Sequence, residues 1–171
     1  VDIESPSYDV ERSRTAVLWV ENELRKTGVE LEIEDVEAEG YGEHLVVRAF
    51  AGEAKPTLMI GHTDTVHPVG CKEKNPTRIE GDKFYGCGIF DMKSGVVLML
   101  EVLRCFDEFN LKPARPITIL LSCDEEVGSE TGRELVETEA RKSAFCLIGE
   151  PSANGRVKTG RKGTGWYELR T

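Results

Sequence analysis

A chain of 171 residues allows about one domain with an ordinary buried core, since domains run roughly 100–200 residues. Apolar residues make up 39% and charged residues 31%, the balance of a globular chain that is slightly polar. Its 22 basic and 31 acidic residues leave a net charge of −9, which argues against a nucleic-acid or acidic-membrane partner and suits the binding of cations.

In chain order, "VERSRTAVLWVENELRKTG" spaces Val10, Val17, Val20 and Leu24 as a helix that stops at Gly28. "LEIEDV" alternates with period two, and "EHLVVRAF" reads as a second strand. "TLMI", between Pro56 and Gly61, is a short continuous apolar run and predicts a strand buried on both faces. "PTRIEGDKFYG" places a turn at Glu80-Gly81-Asp82 between two short extended pieces. "KSGVVLMLEVLRCFDEF" spaces Val96, Leu100, Leu103 and Phe106 as a helix. "PITILLS" predicts a second buried strand, "SETGRELVETEARK" an amphipathic helix and "AFCLIG" a third buried strand. The closing "RVKTGRKGTGWYELRT" is punctuated by glycines and extended. Strands alternating with helices predict an α/β domain on a mixed, largely parallel sheet. Val1 opens on a loop and Thr171 falls inside an alternating stretch, so the sequence reads as part of a longer chain.

Five cysteines (Cys71, Cys87, Cys105, Cys123 and Cys146) are odd in number, widely spread and without a C-x-x-C pair. They predict reduced, mostly buried thiols in an intracellular, cytoplasmic protein. No apolar run approaches a membrane span, and no secretory leader opens the sequence.

All three predicted buried strands end in charged or imidazole side chains. "TLMI" runs into "GHTD", "ITILLSC" into "DEE", and "FCLI" into "GE". In open α/β sheets the carboxyl ends of the strands are where sites form. A further acid, Asp91 in "YGCGIFDMKSG", stands just before a helix. His62, Asp64, Asp91, Glu125, Glu126 and Glu150 thus make a candidate cluster. Buried carboxylates without compensation protonate, and few basic residues neighbour these acids in sequence, so a metal ion or a pair of them is expected. Zinc accepts both imidazole nitrogen and carboxylate oxygen, and paired ions serve hydrolases that activate water.

Each residue also has a plainer role open to it. His62 alone would serve as a loop histidine, but Asp64 two positions on faces the same side and can hold its second ring nitrogen. His67, followed by Pro68, competes as a rim or substrate-side residue, and His44 reads as structural. Asp91 would serve as a helix N-cap, and Glu125 and Glu126 as solvated acids at a helix start. For both glutamates to face one site the strand geometry must break after Ser122; one then binds metal while the other acts as general base. Glu150 precedes Pro151 and is held extended. "TGRKGTG" lacks the order of a phosphate loop, leaving Arg161 and Lys162 as a surface turn.

The segments "GHTDTV", "YGCGIFDMKSG", "CDEEVGS" and "GEPS", in this order and with His62, Asp91, Glu126 and Glu150 at successive spacings of 29, 35 and 24 positions, resemble a family of dinuclear zinc metallopeptidases. That family includes carboxypeptidase G (glutamate carboxypeptidase), aminoacylase, acetylornithine deacetylase and succinyl-diaminopimelate desuccinylase. "IESPS" is similar to its amino-terminal segment and "GRKGTGWYELR" to the start of its lid domain. The resemblance implies a three-layer α/β sandwich, with an incomplete catalytic domain over 1–155 and the first strand of a lid over 156–171. It implies two zinc ions, with cobalt as an alternative. His62 and Glu150 would hold one ion, Glu126 the other, and Asp91 both. Glu125 would be the general base and Asp64 would orient His62. It implies a cis peptide after Asp91, a further histidine ligand beyond Thr171, and dimer contacts in the lid. On this reading the 171 residues alone would be inactive or very weak.

The implied activity is hydrolysis of an amide bond in a peptidyl or N-acyl amino acid, with no nucleic-acid or membrane partner. Glu rather than Asp at position 150 implies a glutamate-type carboxypeptidase or a deacetylase/desuccinylase over an aminopeptidase. A non-catalytic metal-binding member is the alternative from another class, against which Glu125 stands. A dinuclear phosphoesterase would carry more histidines than the three here.

Overall fold

A computed structural model describes residues 2–160, 162, 163, 165 and 167–170. Helix α1 (Val10–Leu24) begins where Asp9 accepts a hydrogen bond from the backbone N–H of Arg12 at 3.1 Å, capping an orphan donor. Strands β1 (Leu31–Ala38) and β2 (Gly42–Ala49) form an antiparallel hairpin, and β3 (Thr57–His62) follows. A short helix α2 (Cys71–Lys74) leads into a separate hairpin of β4 (Arg78–Glu80) and β5 (Lys83–Tyr85). A wide turn over Ile89–Lys93 runs into α3 (Ser94–Glu108). Strand β6 (Ile117–Ser122), helix α4 (Gly132–Lys142) and β7 (Phe145–Ile148) complete the regular elements.

The main sheet runs β1-β2-β6-β3-β7. Its β1–β2 and β2–β6 pairings are antiparallel, while β6–β3 and β3–β7 are parallel. The sheet is therefore mixed, with its parallel strands gathered at one side. Alternation along the central strands assigns the two faces. Leu45 and Val47 of β2 and Ile117, Ile119 and Leu121 of β6 pack with Val17, Val20 and Leu24 of α1 and Val96, Leu100 and Leu103 of α3. Val46, Leu58 and Leu120 point the other way, toward Leu135 and Val136 of α4. Helices cover both faces, which gives three layers and explains why "ITILL" is buried at every position, Thr118 included. Among the described residues no helix is long and apolar enough to cross a membrane.

Two expectations need correction. "AFCLIG" is not a buried strand: β7 lies at the sheet edge with its residues exposed, Phe145 at 50% and Ile148 at 63%. Among the described residues β7 has a strand neighbour only in β3. The cysteines are not all reduced and mostly buried. Cys71 and Cys87 form a disulfide, Cys105 and Cys146 are exposed, and Cys123 alone of the free thiols is buried. The β4–β5 hairpin, turning at Gly81 with φ +63°, brings the pair together across 16 residues, a spacing that carries no signature. The strand expected over 156–171 falls partly on Arg161, Thr164, Trp166 and Thr171, outside the described residues; the described ones there form no named strand.

The junction below the strand ends is closely packed. Met92 is 1% exposed, and its methyl group lies where a Cβ on Gly61, Gly95 or Gly149 would come within 2.6, 2.7 and 2.9 Å. These glycines belong to the end of β3, the start of α3 and the exit of β7, so one side chain fills the gap where three elements meet. A Cβ on Gly95 would also stand 2.1 Å from the carbonyl oxygen of Gly149. Alanine at a helical glycine ordinarily gains about 1 kcal/mol. Here overpacking outweighs it, and Gly95→Ala is expected to destabilise the chain by a net ~1–3 kcal/mol. Urea denaturation checks this, with Gly160→Ala, which has open space around it, as the neutral control.

Candidate metal centre

In register, His62 at the end of β3 stands beside Ser122 at the end of β6, and Gly149 N–H extends the β3–β7 pairing by donating to Ile60 O at 2.9 Å. His62, the residues after Ser122 and Glu150 therefore leave the sheet at one level, side by side. The chain after β6 turns at once into a single tight turn over Glu125–Val127, which breaks the alternation and lets neighbouring glutamates face one place. Gly88, in the left-handed region with φ +70°, reverses the chain ahead of Asp91, and a Cβ there would meet the Thr65 methyl at 2.6 Å. Asp91 is not the cap of α3 but sits inside the wide turn before it, and the Asp91–Met92 peptide is cis.

Four carboxylate side chains collect around one imidazole. His62 Nε2 lies 3.1 Å from Asp91 Oδ1, 3.4 Å from Glu150 Oε1 and 3.9 Å from Glu125 Oε2. Two sets of donor atoms lie within 4.8 Å of one another: His62, Asp91 and Glu126, and His62, Glu125 and Glu150. The grouping differs from the one the resemblance implies, because Glu125 and Glu126 each reach a set. The His62 ring is buried at 1% exposure, whereas Asp91 and Glu125 are exposed and Glu126 and Glu150 are half-buried. Among the described residues no lysine or arginine pairs with Asp91, Glu125 or Glu126. One imidazole with carboxylate oxygens is a donor set that zinc and similar divalent ions accept. The residues present fit such an ion.

Asp64 organises this arrangement from beneath. Its Oδ2 accepts from Ser7 Oγ–H at 2.6 Å and from the backbone N–H of Glu126 at 3.1 Å, while Oδ1 accepts from the N–H of Glu125 at 3.2 Å. His62 Nδ1 meets the Asp64 backbone oxygen at 2.9 Å and its Oδ1 at 3.3 Å. Burial raises the Asp64 carboxyl, but the bonds from His62 and Ser7 outweigh it and hold the acid below its ordinary value. Burial likewise lowers His62, yet Asp64, Glu125 and Glu150 together lift it from 6.5 to about 9. Glu126 is raised, by burial first and then by the charges of Asp91, Asp64 and Glu125. Met92 Sδ accepts from the N–H of His62 at 3.3 Å.

The remaining polar residues divide cleanly. Asp124, third of the adjacent acids, turns away and accepts from Thr131 N–H at 2.7 Å, Thr131 Oγ–H at 2.9 Å and Gly132 N–H at 3.1 Å, at the start of α4. His44 is buried; its Nδ1 accepts from Cys123 N–H at 3.2 Å and its Nε2 bonds Thr131 Oγ1 at 3.0 Å, a structural placement. His67 lies beside Cys71 and Cys87. Sequence reasoning missed Ser7 and the Met92 sulfur. The "IESPS" segment signalled the first without a role, since only the fold brings residue 7 to residue 64.

Residues 58–162 match the family described as "Peptidase family M20/M25/M40". Carboxypeptidase G2 of Pseudomonas sp. (strain RS-16) is 32% identical over 171 residues, covering 99% of this chain and 41% of that protein. Acetylornithine deacetylase of Aliivibrio fischeri (strain MJ11) is 33% identical over 140 residues, covering 80% of this chain and 35% of that protein. The structure of human carnosine dipeptidase 1 superposes with a TM-score of 0.67 at 20% identity, over 85% of this chain and 35% of that one, a likeness of fold. The chain thus spans about two fifths or less of the length of these proteins.

The His62 shift fixes a sign. Its folded value lies above the ordinary one, so protonation stabilises the metal-free fold fully below pH 6.5, and that contribution is lost as pH rises through about 9. Urea denaturation in the presence of a chelator is expected to show stability falling across this interval, and Asp64→Asn to flatten the slope. An unchanged slope in that variant would remove Asp64 as the partner that holds the proton.

Proposed function

The chain belongs to peptidase family M20/M25/M40, and on that premise we propose that it carries the metal-binding part of a hydrolase that cleaves the amide bond of peptidyl or N-acyl amino acids. The observation that supports this most is the meeting of Asp91, Glu125, Glu126 and Glu150 around the buried His62 imidazole. In this reading His62, Asp91, Glu126 and Glu150 hold two zinc ions. When bound, these supply Lewis acidity for the substrate carbonyl and acidify the attacking water.

The chain's own residues do the rest. Asp64 fixes the His62 ring so that Nε2 faces the carboxylates, and by taking the N–H groups of Glu125 and Glu126 it sets the height of both side chains. Glu125, the more exposed of the two, is the general base: it takes the water's proton and returns it to the leaving amine nitrogen. Residues 1–155 form the catalytic part and 156–171 lead into a second domain.

Among substrates, identity to carboxypeptidase G2 over nearly the whole chain favours a glutamate-type carboxypeptidase. Identity to acetylornithine deacetylase favours an N-acyl amino acid deacylase as the second reading. Release of amino acid from glutamate-terminated and N-acetyl substrates by the intact protein separates the two. Glu125→Gln is expected to lower kcat by about 10²–10⁴-fold with metal content unchanged. His62→Ala is expected to lose metal itself. Full turnover by Glu125→Gln would withdraw the base from Glu125, and metal bound without turnover of any substrate would favour the non-catalytic alternative.

A further inference from the structure

A second cluster of metal-ligating groups lies outside the His62 centre. The loop after β3 carries His67 and then Cys71; the chain makes the β4–β5 hairpin and returns to Cys87, four residues before Asp91. Cys71 and Cys87 are bonded, with their Cα atoms 6.4 Å apart, and a ring nitrogen of His67 and the two sulfurs lie within 4.8 Å of one another. Cys87 is buried, while His67 and Cys71 are half-buried. This placement does not rest on the disulfide alone. The buried Glu4 carboxylate accepts from the N–H groups of Gly70 and Lys72, each at 3.0 Å, and so clamps the backbone on both sides of Cys71. The imidazole is what separates the cluster from a plain staple, since a cross-link needs no nitrogen donor beside both sulfurs.

We propose that His67, Cys71 and Cys87 form a thiol-gated second metal site for zinc or a like thiophilic divalent ion, closed as the disulfide in the oxidised chain and opened by reduction. Two thiolates and an imidazole are a donor set suited to such an ion, with the fourth tetrahedral position left to water. The opening step is balanced by a dithiol reductant. It supplies two electrons, the Cys71–Cys87 bond breaks, each sulfur takes a proton, and the dithiol leaves as its cyclic disulfide. Binding then expels one proton from each thiol, while neutral His67 donates a ring lone pair. The site is independent of the hydrolase reading, because none of its ligands belongs to the His62 centre.

The test uses the purified chain with Cys105 and Cys146 alkylated while the disulfide is intact. Cys123 stays silent, since burial and the neighbouring Asp124 push its thiol up to about 12. After reduction and removal of the dithiol, cobalt(II) is added without air and the near-ultraviolet spectrum recorded. A thiolate-to-cobalt charge-transfer band is expected in the reduced chain only, saturating at one ion and bleached by zinc. The His62 centre offers no sulfur and cannot produce it. Cys71→Ser and Cys87→Ser should each abolish the band. His67→Ala, which keeps the disulfide and hence the oxidised fold, should weaken cobalt binding after reduction by at least about tenfold, the smallest loss typical of even an outer-shell partner. No band on reduction, a band surviving either serine variant, or unchanged affinity in His67→Ala would overturn the proposal.

Discussion

The Asp64 carboxylate is almost wholly removed from solvent, and a charge in that position persists only if nearly every lone pair is taken. Ser7, Glu125 N–H and Glu126 N–H take them, with His62 alongside. These donors come from the amino-terminal segment, the end of β3 and the turn after β6. One buried acid therefore ties together pieces of chain that are some sixty residues apart in sequence, with separations of 57, 61 and 62. It also determines what the glutamates can do: with their N–H groups committed inward, their side chains are left to the open side. Three adjacent acids after one strand are tolerated because they divide the work, Asp124 going to the start of α4 and the other two to the His62 side.

Packing beneath the cluster gives that network a rigid floor. Met92 fills the space between Gly61, Gly95 and Gly149, and its sulfur accepts the N–H of His62. The residue that follows Asp91 thus supports the residue that Asp91 faces. Helix α3 can come this close to the exit of β7 because neither Gly95 nor Gly149 carries a side chain, and Glu150 follows directly. Interiors packed at this density have no slack to absorb an added methyl group, so the spacing of the ligating side chains is built into the core.

Most of this was legible where physics acts locally. Apolar period two and helical spacing located α1, β2, β6 and α4, and the apolar runs ending in His or acid pointed to one crevice because parallel strands end at one level. The Asp64–His62 relation followed from alternation along an extended chain. What could not be read depended on long-range placement. "FCLI" has the composition of a buried strand, but burial belongs to the neighbours a strand acquires, and β7 has one on a single side among the described residues. Cys71 and Cys87 meet through a hairpin with no sequence signature of pairing, and Ser7 reaches Asp64 through a bridge between Pro6 and Thr65.

The electrostatics explain why the cluster calls for a cation and Asp64 does not. Asp64 is satisfied by neutral donors and by the Nδ1 side of His62. On the other side one Nε2 faces oxygens of Asp91, Glu150 and Glu125 at 3.1, 3.4 and 3.9 Å. A single N–H cannot serve three carboxylates well, and lifting His62 to about 9 is the most that one proton achieves there. Glu126 is raised, by burial first and then by the neighbouring charges of Asp91, Asp64 and Glu125, which the His62 side only partly offsets. A divalent ion in place of the imidazolium proton brings twice the charge and accepts several oxygens at once, leaving His62 neutral and able to donate its Nε2 lone pair. The same substitution would draw the Glu126 carboxyl back down, so the ion and the carboxylates that hold it stabilise one another.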